Sequence, residues 1–156
     1  MKKTFFFILL FLLFTIPSTA FASHYDLDDI DIIPAEITQK LTAANVSNTE
    51  ELFAMLMKKS GRDEFSAKYG MPADEVEKLA KKLELMQIVG VGPKAATLLQ
   101  LSGIQSLKAL TEASPNELLD TLQRVNREQN ITGVQPDLTV VRDWIEKSKK
   151  VVNHMQ

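Results

Sequence analysis

Cysteine is absent from the 156 residues, and histidine occurs only at His24 and His154. The first absence removes disulfides, thiol nucleophiles, lipidated cysteine and Cys-built metal centres. The second leaves one imidazole near each end, with no spaced partner for a zinc or catalytic site. No glycine-rich nucleotide loop occurs, and apolar residues nowhere alternate over a strand-length run. Catalysis has few residues to be made from, so the expectation is a protein that is not an enzyme, with no catalytic residue, cofactor or metal. Asp26, Asp28, Asp29 and Asp31 lack the glycine and terminal glutamate of a calcium loop, and read as a solvated acidic lead over residues 23–29 and just beyond.

Long hydrophobic runs are also scarce. The one present, Thr4 to Ile16, spans 13 residues behind Lys2 and Lys3, and Pro17 breaks it before Ala20-Phe21-Ala22. A membrane span needs roughly 20 apolar residues. The short run and the small-residue ending read instead as a secretory signal over residues 1–22, cleaved between Ala22 and Ser23. The expected location is the periplasm or the medium outside the cell, with no membrane span after cleavage. Losing two of 18 basic residues against 20 acidic ones leaves the mature chain at −4, unlike a strongly basic nucleic-acid protein.

What is there is helical periodicity throughout. Ser47-Asn-Thr-Glu50 has a capping-box pattern and predicts a helix to about Ser60, stopped by Gly61. A short helix through Phe65 ends at Gly70. Pro72 opens another whose apolar stripe is Val76, Leu79, Ala80, Leu83 and Met86. Pro93 starts a helix that Gly103 ends, and Ser114-Pro-Asn-Glu117 is a second capping box. Residues 126–136 read as a loop before a final helix near Asp137 that carries Leu138, Val141, Ile145 and Val152, with Trp144 alongside as core. An offset of 58 superposes Ile30 on Ile88, Leu41 on Leu99, Val46 on Ile104 and Leu52 on Leu110, a faint internal repeat.

Between two of these helices lies Ile88-Val-Gly-Val-Gly-Pro-Lys-Ala-Ala96. Gly90 and Gly92 permit positive φ and close approach, the amides of the turn and of the next helix form an anion nest, and Lys94 adds a cation. Val89 or Val91 is expected to plug the turn into the core. From Lys78 to Lys108 five lysines, including Lys81, Lys82 and Lys108, stand against Glu84 alone, although lysines on a helix ordinarily form a solvated face. Under the 58-residue offset the first copy places Ile32, Pro34 and Glu36 opposite Gly90, Gly92 and Lys94, so its hairpin is expected not to hold phosphate.

The Ile88 to Ala96 run, closing at Gly103-Ile104, resembles the helix-hairpin-helix motif. Together with Leu85-Met86-Gln-Ile88, Leu118 to Asn126 and Val140-Val-Arg-Asp-Trp-Ile-Glu146, it makes the chain from Ile30 to Lys150 similar to a bacterial family of paired helix-hairpin-helix-like units of unknown function. That resemblance implies an all-α fold of two tandem units sharing one core, residues 30–71 and 72–152, closed by a C-terminal helix. It also implies sequence-independent contact with the backbone of double-stranded DNA through Gly90, Val91, Gly92 and Lys94, with Lys81, Lys82 and Lys108 nearby. The other reading open at this point is a scaffolding module that meets an envelope protein and keeps its hairpin for packing alone.

Overall fold

Apolar residues three and four apart on successive segments bury one face each, and in the computed structural model, which describes residues 24–154, they form helices that enclose a single core. The expected leader and its cleavage point, Ala22 and Ser23, lie outside the described residues. Within them the chain is all-helical, with α1 (Ala35–Ala43), α2 (Thr49–Leu56), α3 (Lys59–Tyr69), α4 (Ala73–Leu85), α5 (Pro93–Leu101), α6 (Leu107–Thr111), α7 (Pro115–Gln129) and α8 (Leu138–His154) after a 3-10 turn at Leu27–Asp29. Among the described residues no helix is long and apolar enough to cross a membrane.

The repeat is present in the backbone. α1 and α5 begin and end 58 residues apart, and α2 and α6 start 58 apart. The turns match bond for bond: Val46 N donates to Leu41 O at 2.9 Å and Ile104 N to Leu99 O at 3.0 Å. Asn45 at φ 60° stands where Gly103 adopts φ 91°. Asparagine tolerates the left-handed region because its short side chain bonds locally, which is why glycine is not needed in the first copy. Asn48 Oδ1 accepts from Glu51 N at 3.0 Å, as Ser106 Oγ does from Ala109 N at 3.1 Å.

α4 buries Val76, Leu79, Ala80 and Leu83 at helical spacing, and packs on α2 and α3 of the first copy and on α5 of the second. α8 packs on α6 and α7 in the same manner. The core runs through both copies without a break, from Leu41, Leu52 and Leu56 to Leu98, Leu107 and Leu122. Glu84 ties α4 to α6, its Oε1 accepting from the Leu107 amide that opens α6 at 2.9 Å.

Several local expectations are corrected. Asn48, not Ser47, caps α2, accepting from the amides of Glu50 and Glu51, while the Ser47 amide and hydroxyl donate to the Glu51 carboxylate at 2.7 and 3.2 Å. Gly61 does not stop a helix. The chain turns at Met57 and Lys58, and Gly61 lies inside α3, where an added Cβ would run into the Met55 carbonyl oxygen. Ser114 precedes α7 without a side-chain capping bond. α7 continues to Gln129, so the loop begins at Asn130 rather than at Asn126. Asn126 is buried, and holds that loop by accepting from Thr132 N and donating to Thr132 O, both at 2.9 Å.

The aspartates of the lead are exposed, but the lead as a whole is not a free tail. Leu27 is core, its amide donates to Ser47 O at 2.8 Å, and Asp26 bridges to Asn48 in antiparallel fashion.

Candidate nucleic-acid interface at the second hairpin

The buried run Leu85, Met86, Ile88 leaves α4 and enters a tight turn, in which Val91 N donates to Ile88 O at 2.9 Å. Gly90 occupies the third turn position at φ 95°, a conformation that glycine takes without steric cost. Val91 is fully buried and is the residue that plugs the turn, while Val89 is exposed. Among the described residues the first copy makes no matching bond from Ile33 to Ile30, and Ile32 does not take the positive φ of Gly90.

Gly92 is needed for space, not for torsion. Its backbone is extended, at φ −83° and ψ 179°, which any residue adopts. A Cβ there would come within 2.9 Å of the Tyr25 hydroxyl. The segment that approaches the hairpin closely is thus this chain's own N-terminal lead. Tyr25 is pinned there by bonds from its amide to Thr49 Oγ1 at 3.1 Å and from Thr49 N to its carbonyl at 2.9 Å.

Pro93 starts α5, leaving the first helical amides without intrahelical acceptors. The amides of Gly90, Gly92, Lys94 and Ala95 have no protein acceptor among the described residues. Lys94 is exposed at this point of the chain. A cation that sequence reasoning missed joins it: Lys147 of α8 donates to Val89 O at 3.2 Å and pairs with Asp143 at 2.6 Å. Its only sequence signal was its place one turn after Trp144 and Asp143, which says nothing of the partner 58 residues away.

Trp144, also on α8, is core as expected, yet its indole nitrogen sits 3.6 Å from where a Gly90 Cβ would be. Between the hairpin and the loop that Asn126 holds lies a cavity of about 250 Å³, bounded by Gly90, Ala95, Trp144, Val134, Pro136 and Val140.

The other expected cations lie on α4 and α6, outside the hairpin turn. Lys81 lies 3.8 Å from Glu77, which in turn pairs with Arg62 of α3 at 2.7 Å. Lys82 is half-buried between α4 and α5, and Lys108 stands exposed on α6. Burial pushes the Lys82 ammonium below the ordinary lysine range, and Asp31 partly opposes this. A lysine whose folded pKa is lowered binds fewer protons folded than unfolded, so its contribution to stability rises with pH between its folded and ordinary values. Lys82→Met keeps the aliphatic stem and removes the desolvated charge. It is expected to raise the melting temperature at pH 7 and to flatten the rise in stability as the pH approaches the ordinary lysine value, both read by thermal denaturation.

The family model described as a domain of unknown function (DUF4332) matches residues 32–151. No curated protein and no solved structure gives a match to the chain.

Proposed function

The chain belongs to that family, and we propose that it is an exported, non-catalytic binding module whose second hairpin holds the phosphate backbone of double-stranded DNA weakly and without regard to sequence. One observation carries this reading: the amides of Gly90, Gly92, Lys94 and Ala95, on one short stretch of turn and helix start, have no protein acceptor among the described residues, and the Lys94 side chain on that stretch is exposed. A phosphate oxygen accepts from such amides without contact to a base, and contacts of that kind set orientation, not sequence preference. Lys94 and Lys147 supply few charges in an acidic protein, so affinity falls in the weak range of roughly 10⁻⁴ to 10⁻⁶ M that characterises non-specific binding. The run from Lys2 to Ala22 supports export. The scarcity of nucleophile, base and metal-ligand sets supports a binding role.

Fluorescence anisotropy of a labelled duplex tests it. Binding is expected at low salt and is expected to weaken at moderate salt. Lys94→Glu should lower affinity at least fivefold with helicity unchanged, and should reduce the salt slope by about one. A flat titration with folded protein would discard the reading.

A second reading, docking of an envelope protein on the same face, is favoured by the apolar lining of the hairpin cavity, where Val134 is 81% and Val140 37% exposed. It predicts that Val134→Asp, which leaves the fold intact, abolishes cross-linking of a specific envelope partner.

A further inference from the structure

On the first copy's side of α5 lies a groove of about 440 Å³ that the hairpin does not use. Glu75, Lys78, Leu79 and Lys82 line it along one stripe of α4, and Thr97, Gln100 and Leu101 form the opposite wall on α5. Ile32, the residue that replaces the first turn glycine in the degenerate copy, and Met71 complete its apolar surface. Leu101 is 52% exposed at this wall, an unusual place for a leucine between two packed helices.

The polar groups of the groove are unevenly satisfied. Lys78 pairs with Asp74 at 3.1 Å. Gln100 Nε2 donates to Lys78 O at 3.0 Å and Gln105 Nε2 to Gln100 O at 2.8 Å. Glu75 and Lys82 make no ion pair among the described residues, and of the two Glu75 is exposed to water while Lys82 is half-buried. Burying a cation without a bonded partner costs free energy that an arriving anion returns.

We propose that this groove binds a small carboxylate bearing an apolar chain, with the carboxylate on Lys82 and the chain along Leu79, Ile32, Met71 and Leu101. The head group is a monoanion, because Glu75 in the groove and Asp31 near Lys82 oppose a second negative charge. No arginine lines the groove to offer the planar fork that favours phosphate. The volume lies near the lower end of small-molecule sites and suits a chain of roughly eight carbons. The same chemistry is carried by a fatty acid and by the free carboxyl end of a short apolar peptide.

Titration of the ¹⁵N-labelled protein, followed by amide chemical shifts, tests the site independently of any nucleic acid. Octanoate is expected to move the amides of Thr97, Gln100, Leu101 and Gln105, with 1-octanol and octylamine at least tenfold weaker. Lys82→Met should lose at least tenfold in octanoate affinity while 1-octanol binding is unchanged. Leu101→Asp, a change at an exposed position that spares folding, should also cost at least tenfold. Acetyl-Leu-Leu with a free carboxylate, set beside its amide, separates the sources: shifts with the acid alone assign peptide ends, and shifts with octanoate alone assign fatty acids. The proposal is overturned if neither carboxylate moves the groove amides, or if Lys82→Met binds octanoate as tightly as the parent.

Discussion

Gly61→Ala is expected to destabilise the protein by about 3 kcal/mol, at the upper end of the cost of overpacking a well-filled site. In an exposed helix, glycine to alanine is a gain, since alanine is the better helix former by roughly 1 kcal/mol. Here the sign reverses. The added Cβ is aimed at the Met55 carbonyl oxygen, a backbone atom in the last turn of α2 that no rotamer change can move aside. Arg62, the next residue, donates to the carbonyls of Leu56 and Met57 at 2.9 and 3.0 Å, so the corner between α2 and α3 is clamped beside the glycine. Thermal denaturation should show a loss of about 10 °C for a domain of this size. Gly133→Ala is the control, with nothing within 4 Å of its new methyl group, and should leave the midpoint nearly unchanged. Equal midpoints for the two variants would mean that α3 can slide away from α2.

The second large effect is expected at Asn126. Asn126→Ala removes at once the partners of the Thr132 N–H and of the Thr132 carbonyl, and groups left unsatisfied in partly buried surroundings cost roughly 1 to 3 kcal/mol each. Thr132 has some access to water, which lowers the sum to about 2 kcal/mol. The loss should be local before it is global. The loop between α7 and α8 forms one side of the hairpin cavity, through Val134 and Pro136, so its release should open that cavity. Hydrogen exchange at the Thr132 amide should quicken by about 30-fold, the equivalent of 2 kcal/mol, while amides in the middle of α4 change little. Unchanged protection at Thr132 would show that Pro136, itself buried, holds the loop alone.

These two positions show where sequence reasoning stops. Gly61 and Asn126 both resemble punctuation, and glycine and asparagine do end helices at Gly70 and Asn130, each with positive φ. Nothing local distinguishes the two uses. Gly61 is set by a neighbour in another helix, and Asn126 by a peptide group six residues on. Similarly, Ser47 and Asn48 both carry a capping acceptor, and only the backbone register gives the role to Asn48. By contrast, the α4 stripe, the start of α5 at Pro93 and the turn at Gly103 were legible, because spacing and ring or Cβ sterics act within one element.

The hairpin was legible as a turn but not as a surface. Positive φ at Gly90 follows from the glycine, whereas the sequence left the plug open between Val89 and Val91 and the structure gives it to Val91. Of the two properties expected of Gly92, close approach holds and positive φ does not, and the Tyr25 ring that makes the approach comes from the far end of the chain. The lysines illustrate the same limit. Helical spacing puts Lys81 and Lys82 beside the apolar stripe, but not against Glu77 or within the groove between α4 and α5.

α4 closes the first copy from below α2 and α3, and its last residues lead straight into the second hairpin. The two halves of the repeat therefore share a part that neither can give up. Such a pair is free to drift apart in sequence, but it cannot be separated: an ancestor that shed or transplanted one half would have left the other missing a helix. Ile32 of the first hairpin serves as part of a groove wall, beside the α4 that both copies need.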